Sequence, residues 1–399
     1  MRPHANLVHA VADGLDEVFY RGYYADRVVA HLLKRDRRWG ARDRAFVAET
    51  VYECVRWWRL LAFLADGDER PEAVLAAYWA WRHGEPLGVD GFPFLHPREI
   101  RAPLRAARER RAVAESIPDW LDELGAGELG RRWDVELPAL NREASVYLRA
   151  NTLKSDRQIV KDTLEAQGFE LAWEPRADDA LRVVKRRNLW STKAFRAGRF
   201  EVQDVASQLV APALDVAPGM TVVDACAGAG GKTLHLAALM QNRGRLVALD
   251  TDGRRLQELR RRARRAGVQN LETRLIGSTK VIKRLYGKAD RVLLDVPCTG
   301  LGVLRRNPDA KWKLRPGFPE EVRGWQRDIL ANYPRMAKPD GKVVYATCSV
   351  LPSEGERQIG AFLAGEESAD EGWRLEEERR YWPSEGYDGF YVARLGRGG

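Results

Sequence analysis

An α/β fold built on a mostly parallel sheet is predicted for the C-terminal half of this 399-residue chain. Three observations predict it. From Gly219 onward, short apolar runs of β-rich type alternate with helical stretches in the βαβ manner. The run Val292-Leu293-Leu294 is uniformly apolar, with charge before it and Pro297 and Gly300 after it, as expected of a strand buried on both faces. Two strands end in thiols: Asp290–Asp295 leads into Val296-Pro297-Cys298-Thr299-Gly300, and Lys342–Ala346 leads into Thr347-Cys348-Ser349. In open parallel sheets that edge is where ligands bind.

Length and composition bound the rest. A chain this long exceeds one ordinary core, so two or three domains are expected. The apolar fraction of 45% without low-complexity tracts indicates a globular protein. No apolar run approaches the ~18 residues needed to span a bilayer. The segment from Met1 to His9 has no apolar export core, so a cytoplasmic monomer without membrane attachment is expected. Lys and Arg number 66 against 57 acids, a net +9 that suits a phosphate-backbone partner. The four cysteines, Cys54, Cys226, Cys298 and Cys348, are far apart and form no C-x-x-C, so neither a metal site nor a disulfide framework is expected.

Residues 4–115 show helical periodicity. In Arg42–Arg56, the residues Phe46, Val47, Thr50, Val51, Cys54 and Val55 share one face, making Cys54 a core thiol. Trp57, Trp58, Trp79 and Trp81 are placed between helices, and Gly84–Pro97 reads as a loop. Basic clusters at Lys34–Arg38 and Arg98–Arg111 offer RNA contacts or a solvated face. A helical stretch from Asp119 to Leu140 is closed by Pro138. A small α+β unit follows: a strand at Val146–Thr152, a helix at Ser155–Gln167 capped by Ser155 and Gly168, and strands at Phe169–Trp173 and Leu181–Lys185. The catalytic half then reads as strands at 221–225, 245–250, 271–276, 291–295 and 342–347. Helices are expected at 232–240, 254–266 and 354–363, and two late strands near Trp373 and Phe390 form an antiparallel edge.

Asp224-Ala225-Cys226-Ala227-Gly228-Ala229-Gly230-Gly231-Lys232-Thr233 joins the first of these strands to its helix. Small residues let the backbone approach a ligand, and the helix start offers free N–H groups. Neither G-x-x-x-x-G-K-[ST] nor G-x-G-x-x-G fits: the first would need glycine at Cys226, the second at Thr233. Asp250, ending the second strand, is placed to accept from a ribose diol or to cap the next helix.

Taken together, Asp224–Thr233, Asp295-Val-Pro-Cys-Thr-Gly300 and Tyr345-Ala-Thr-Cys-Ser349 resemble the Nop/Sun family of S-adenosylmethionine-dependent RNA cytosine-5 methyltransferases. Further resemblance lies in Tyr147–Lys154, Gln203–Gln208, Arg305–Asp309 and Asp388-Gly-Phe390, so it covers roughly 145–395. Residues 4–64 more diffusely resemble the NusB-like RNA-binding domain of members acting on 16S ribosomal RNA. The resemblance implies a Rossmann-like class I methyltransferase domain with a mostly parallel seven-stranded sheet. It implies Cys348 as nucleophile, Cys298 as the thiol that helps product release, and Asp295 with Lys232 at the base. For the cofactor, S-adenosyl-L-methionine, it implies Cys226, Ala227, Gly228, Ala229, Gly230, Gly231, Lys232, Asp250, Arg255, Ser278 and Asp295. Ser278 stands where the family usually has an aspartate that reads the adenine. The stretch Arg305-Arg306 to Lys311-Trp312-Lys313 combines cations with an aromatic, a combination suited to phosphates and an extruded base.

The expected organisation is therefore a helical NusB-like RNA-binding domain (1–135), an α+β connector (136–215) and a catalytic domain (216–399). The expected activity is cytosine-5 methylation of RNA, with 16S ribosomal RNA first and transfer RNA second as substrate. The alternative is a non-catalytic RNA-binding ribosome-assembly factor, which intact Asp295, Cys298 and Cys348 oppose.

Overall fold

The computed structural model describes residues 3–397; positions 1–2 and 398–399, the ends of the expected first and third domains, lie outside them. The chain divides into two compact units, Met1–Glu143 with Leu304–Pro316, and Ala144–Val303 with Gly317–Gly399. No helix among the described residues is long and apolar enough to cross a membrane.

The first unit is helical, with its longest elements at Ala5–Phe19, Ala25–Arg35, Ala41–Leu64, Pro71–His83, Asp119–Leu129 and Trp133–Leu140. The expected boundary at 135 thus falls inside a helix. On Ala41–Leu64 the periodic face is buried as its pattern requires: Val47, Thr50, Val51, Cys54 and Val55 are buried and Phe46 packs against them. Burial pushes the Cys54 thiol well up, which leaves it inert. Trp58 and Trp79 are buried, and Trp57 meets Trp81 edge-on at 5.4 Å. Pro138 lies within Trp133–Leu140, which runs two residues past it before ending.

The segment Leu304–Pro316 corrects a sequence expectation. The long helix is kinked at Trp57, whose backbone is non-helical (φ −106°, ψ 17°). Beyond the kink, the N–H groups of Arg59 and Leu60 turn to Ser116 Oγ, at 3.0 and 3.4 Å. The carbonyls of Val55 and Arg56 then need other donors. Trp312 Nε1 donates to Val55 O at 2.7 Å, and Lys311 Nζ donates to Arg56 O at 2.8 Å and to Asn141 Oδ1 at 3.0 Å. Asp309 accepts from Ala25 N at 2.9 Å. Lys311 is 2% exposed, and burial pushes its ammonium well below the usual lysine range. The Lys-Trp pair is therefore a plug for a broken helix rather than a platform for RNA.

The second unit holds two sheets. The smaller is antiparallel in the order β2-β3-β1-β4, from β1 (Val146–Ala150), β2 (Leu171–Trp173), β3 (Ala180–Val183) and β4 (Phe200–Val202). Helix Arg157–Glu165 packs on it through Val160 and Leu164. Its N-cap is Asp156, which accepts from Ile159 N at 2.8 Å, and not Ser155. A carboxylate one residue nearer the helix satisfies the free N–H groups better than the hydroxyl expected to do so.

The larger sheet comprises β5 (Thr221–Asp224), β6 (Arg245–Asp250), β7 (Leu271–Leu275), β8 (Ala289–Asp295), β9 (Ala337–Thr347), β10 (Trp373–Tyr381) and β11 (Phe390–Arg397). Its order is β10-β11-β9-β8-β5-β6-β7, parallel from β9 to β7, with β11 antiparallel to both neighbours. The uniformly apolar run behaves as expected. Val292 and Leu294 enter one core with Val223, Val343 and Tyr345, while Leu293 enters the opposite one with Val222, Val344 and Ala346. Helix Phe318–Asn332, between β8 and β9, was not read from the sequence. Its buried stripe is Pro319, Val322, Gln326 and Leu330, and the glutamine conceals an otherwise regular helical spacing.

Candidate active site

Strand order reverses at β5, which lies between β8 and β6, so a crevice opens at the C-terminal edge where the glycine loop leaves β5. The loop is pinned from several sides. Ala227 N donates to Leu249 O at 2.9 Å and Gly228 N to Asp250 Oδ2 at 2.8 Å. Arg262 donates to Ala229 O at 2.8 Å, and the buried Arg149 donates to Gly231 O at 3.0 Å and Gln203 Oε1 at 2.7 Å. Gly230 has φ +89°, and a Cβ there would lie 2.1 Å from Leu259 Cδ1. At Gly228 (φ +54°) and at Gly277, just past β7, an added Cβ meets nothing within 4 Å. The loop is thus closed toward the protein and open toward the crevice. Helix Gly231–Leu239 starts there with its first N–H groups free for a ligand.

The opposite wall carries the reactive groups. Asp295 ends β8, and Lys232 Nζ reaches its Oδ2 at 2.7 Å. The lysine side chain is 10% exposed and the aspartate 28%. Lys232 also lies over the Phe390 ring at 5.1 Å. Burial alone would lower the Lys232 ammonium, but the charge and hydrogen bond of Asp295 more than offset it and hold the pKa above the usual value. Beyond β8 and β9 the sulfurs of Cys298 and Cys348 are 3.2 Å apart. The hydrogen bond to Cys348, then burial, then the charges of Cys348 and Glu354 push the Cys298 thiol well up.

Asp224, buried at the base of the loop, accepts from Thr233 Oγ1 at 2.6 Å, while its Oδ1 has no partner among the described residues. Burial pushes its carboxyl up to about 7. A raised carboxyl keeps its proton in the folded state while the unfolded chain, near 3.8, has lost it. Folding stability therefore falls as pH rises from about 4 to about 7 and levels off above that. Thermal melts between pH 5 and 8 check this: the parent protein loses stability across the window and Asp224→Asn, which cannot ionise, loses that part of the slope. Equal slopes in both proteins would contradict the assignment.

The structure brings together most of the expected site. Cys226, Ala227, Gly228, Ala229, Gly230, Gly231 and Lys232 form one wall, and Asp295, Cys298 and Cys348 the other. Burial pushes the Cys226 thiol well up, consistent with a loop residue. Asp250 closes β6 beside the loop, with its carboxylate accepting from Gly228 N and, at 2.7 Å, from Asp252 N. The cap of the next helix is Asp252. Arg255 is exposed and lies 3.8 Å from Asp252. Ser278 is exposed just past β7, and its hydroxyl makes no capping bond.

Several functional neighbours were missed. Arg262 and Arg265, on the arginine-rich helix Gly253–Ala266, turn inward to the buried Glu201. Arg149 and Gln326 are polar residues within apolar patterns and Glu354 lies in a polar turn, and only their placement in three dimensions gives them meaning.

A seven-stranded sheet of this order, with a glycine loop after the strand at which the order reverses and an acidic residue ending the next, defines the Rossmann-like class I methyltransferase fold. Residues 211–396 match the model of the 16S rRNA methyltransferase RsmB/F family, and residues 117–189 match the ferredoxin-like domain of RsmF/B-like methyltransferases. Ribosomal RNA small subunit methyltransferase B of Shewanella oneidensis is 31% identical over 313 residues, 72% of this chain and 69% of that protein. A protein described as probable ribosomal RNA small subunit methyltransferase B from Bacillus subtilis is 32% identical over 256 residues. That match covers 64% of this chain and 57% of the relative, so the chain spans less than two thirds of its length. The crystal structure of PH0851 superposes with a TM-score of 0.80 at 25% identity, over 100% of both chains. The chain belongs to the RsmB/F methyltransferase family, within the Nop/Sun group.

Proposed function

We propose that this protein transfers a methyl group from S-adenosyl-L-methionine to carbon 5 of a cytosine in ribosomal RNA of the small subunit. The observation that carries this reading is the pair of thiols 3.2 Å apart at the tips of β8 and β9, on the same wall as Asp295, which pairs with Lys232 of the glycine loop. The open face at Gly228 and Gly277, the pinned loop and the free N–H groups at the start of helix Gly231–Leu239 fit the cofactor. Residues 226–232, Asp250, Arg255, Ser278 and Asp295 would hold it. When bound, it supplies an electrophilic methyl carbon.

Cytosine carbon 5 is a poor nucleophile until carbon 6 carries an added group. Cys348 adds as thiolate: a sulfur–carbon 6 bond forms, and the 5,6 π electrons move to carbon 5. Asp295 holds the base near its ring nitrogen and amino group, and Lys232 steadies the charge that develops. Once carbon 5 is methylated, Cys298 assists removal of its proton. That proton passes by way of Cys298 to solvent, the electrons of the C–H bond restore the 5,6 double bond, and the sulfur–carbon 6 bond breaks with its electrons on Cys348, so both thiols end as they began.

An RNA partner is supported by the +9 net charge and by exposed aromatics among cations. In the second unit, Trp190 is 59% exposed within Lys185-Arg186-Arg187 and Lys193-Ala194-Phe195-Arg196. In the helical unit, the NusB-like reading is supported by exposed Tyr20, Tyr23 and Tyr24 beside Arg21 and Arg27. Trp190→Ala is expected to weaken RNA affinity by about 1–3 kcal/mol, the value of one stacked base, without altering cofactor affinity. Fluorescence anisotropy with labelled RNA checks it, and unchanged affinity would remove Trp190 from the interface.

The test of the function itself is methyl transfer from labelled cofactor to small-subunit RNA, transfer RNA and DNA, followed by nucleoside analysis. 5-Methylcytidine in small-subunit RNA is the expected product. Label in transfer RNA alone would change the substrate, and binding without transfer would favour an assembly factor.

A further inference from the structure

Glu354 lies on the short turn Pro352–Glu354 after β9 and is fully buried. Its carboxylate collects four neutral donors. Thr299 N and Thr299 Oγ1 donate at 2.8 and 2.5 Å, Ser349 Oγ donates at 2.6 Å, and Gln326 Nε2 donates at 3.2 Å. Gln326 also donates to Pro297 O at 2.9 Å, and Tyr345 OH donates to the Glu354 carbonyl at 2.9 Å.

The sequence positions of these donors matter. Thr299 directly follows Cys298, and Ser349 directly follows Cys348. One carboxylate thus grips the residue after each cysteine, while Gln326 extends the grip to the residue before Cys298. A buried carboxylate held by neutral donors is costly unless its bonds are complete, so a simpler core would have an apolar residue here.

Resting on the reading of the two cysteines given above, we propose that Glu354 is a positioning residue that fixes the two sulfurs at working distance. Its carboxylate does so through Thr299 and Ser349. The titratable groups facing Cys298 are Cys348, Tyr345 and Glu354, and Glu354 is among those that push the Cys298 thiol up. A displaced reacting group costs catalysis far more than binding.

Glu354→Gln removes the charge and presents an N–H₂ to groups that are themselves donors. Two readouts follow. In methyl transfer, kcat falls about 100-fold, the scale of a misplacement of about 1 Å, while KM for S-adenosylmethionine is unchanged. In alkylation by iodoacetamide, followed by peptide mass spectrometry across pH, the Cys298 midpoint moves to lower pH. The alkylation assay needs no RNA and no turnover, so it decides the proposal even if the parent protein transfers no methyl group. If Glu354→Gln does not fold, Ser349→Ala and Thr299→Val each remove one donor while leaving the carboxylate, and each is expected to lower kcat with KM for S-adenosylmethionine unchanged. A folded variant with parental kcat and a parental Cys298 profile would overturn the proposal.

Discussion

Cys348→Ser is expected to abolish methyl transfer, with a loss of roughly 10⁴-fold or more in kcat. Serine nearly keeps the size of the side chain but replaces a strongly nucleophilic sulfur with a weakly nucleophilic hydroxyl. The change is confined to the reacting atom. Cys348 is partly accessible at the end of β9, with Thr347 and Ser349 buried on either side, so folding is little affected. Calorimetric affinity for S-adenosylmethionine should equal that of the parent. Stopped-time incorporation of labelled methyl into RNA measures the effect, and activity within tenfold of the parent would show that another group attacks carbon 6.

Asp295→Asn carries the second large effect, and here catalysis and stability fall together. The substitution leaves Lys232, 10% exposed, without its 2.7 Å carboxylate partner. Stranding one member of a buried pair costs about 3–5 kcal/mol; the partial exposure of Asp295 places this case near the lower end. Transfer should fall about 10²–10³-fold, the cost of losing one group that stabilises developing charge. Lys232→Met in the same protein separates the two: it relieves the stranded cation and restores thermal stability, but not activity. Recovery of activity in the double variant would mean that the pair serves folding alone.

Much of this site was legible in the sequence because its physics is local. A uniformly apolar run such as Val292-Leu293-Leu294 has one economical home, the middle of a parallel sheet, and residues just past such strands line the binding edge. The glycine loop is equally local, since closeness to Leu259 at Gly230 and openness at Gly228 both require the missing Cβ. What was illegible depends on partners distant in sequence. Lys311 and Trp312 look like nucleic-acid ligands until the carbonyls of Val55 and Arg56 are seen to need donors. Arg262 looks solvated until Glu201 and Ala229 are found beside it. Glu354 is one acid among 57 acidic residues until Thr299 and Ser349 converge on it. Polar residues that serve a distant backbone or carboxylate leave no periodic trace.

The covalent mechanism with divided labour between two thiols is tested most directly by a denaturing gel of Cys298→Ala incubated with S-adenosylmethionine and small-subunit RNA. With Cys348 intact and the releasing thiol gone, the account predicts a protein–RNA band that survives denaturation and disappears in the Cys298→Ala/Cys348→Ser double variant. A persistent adduct in Cys348→Ser, with none in Cys298→Ala, would contradict it by reversing the two roles.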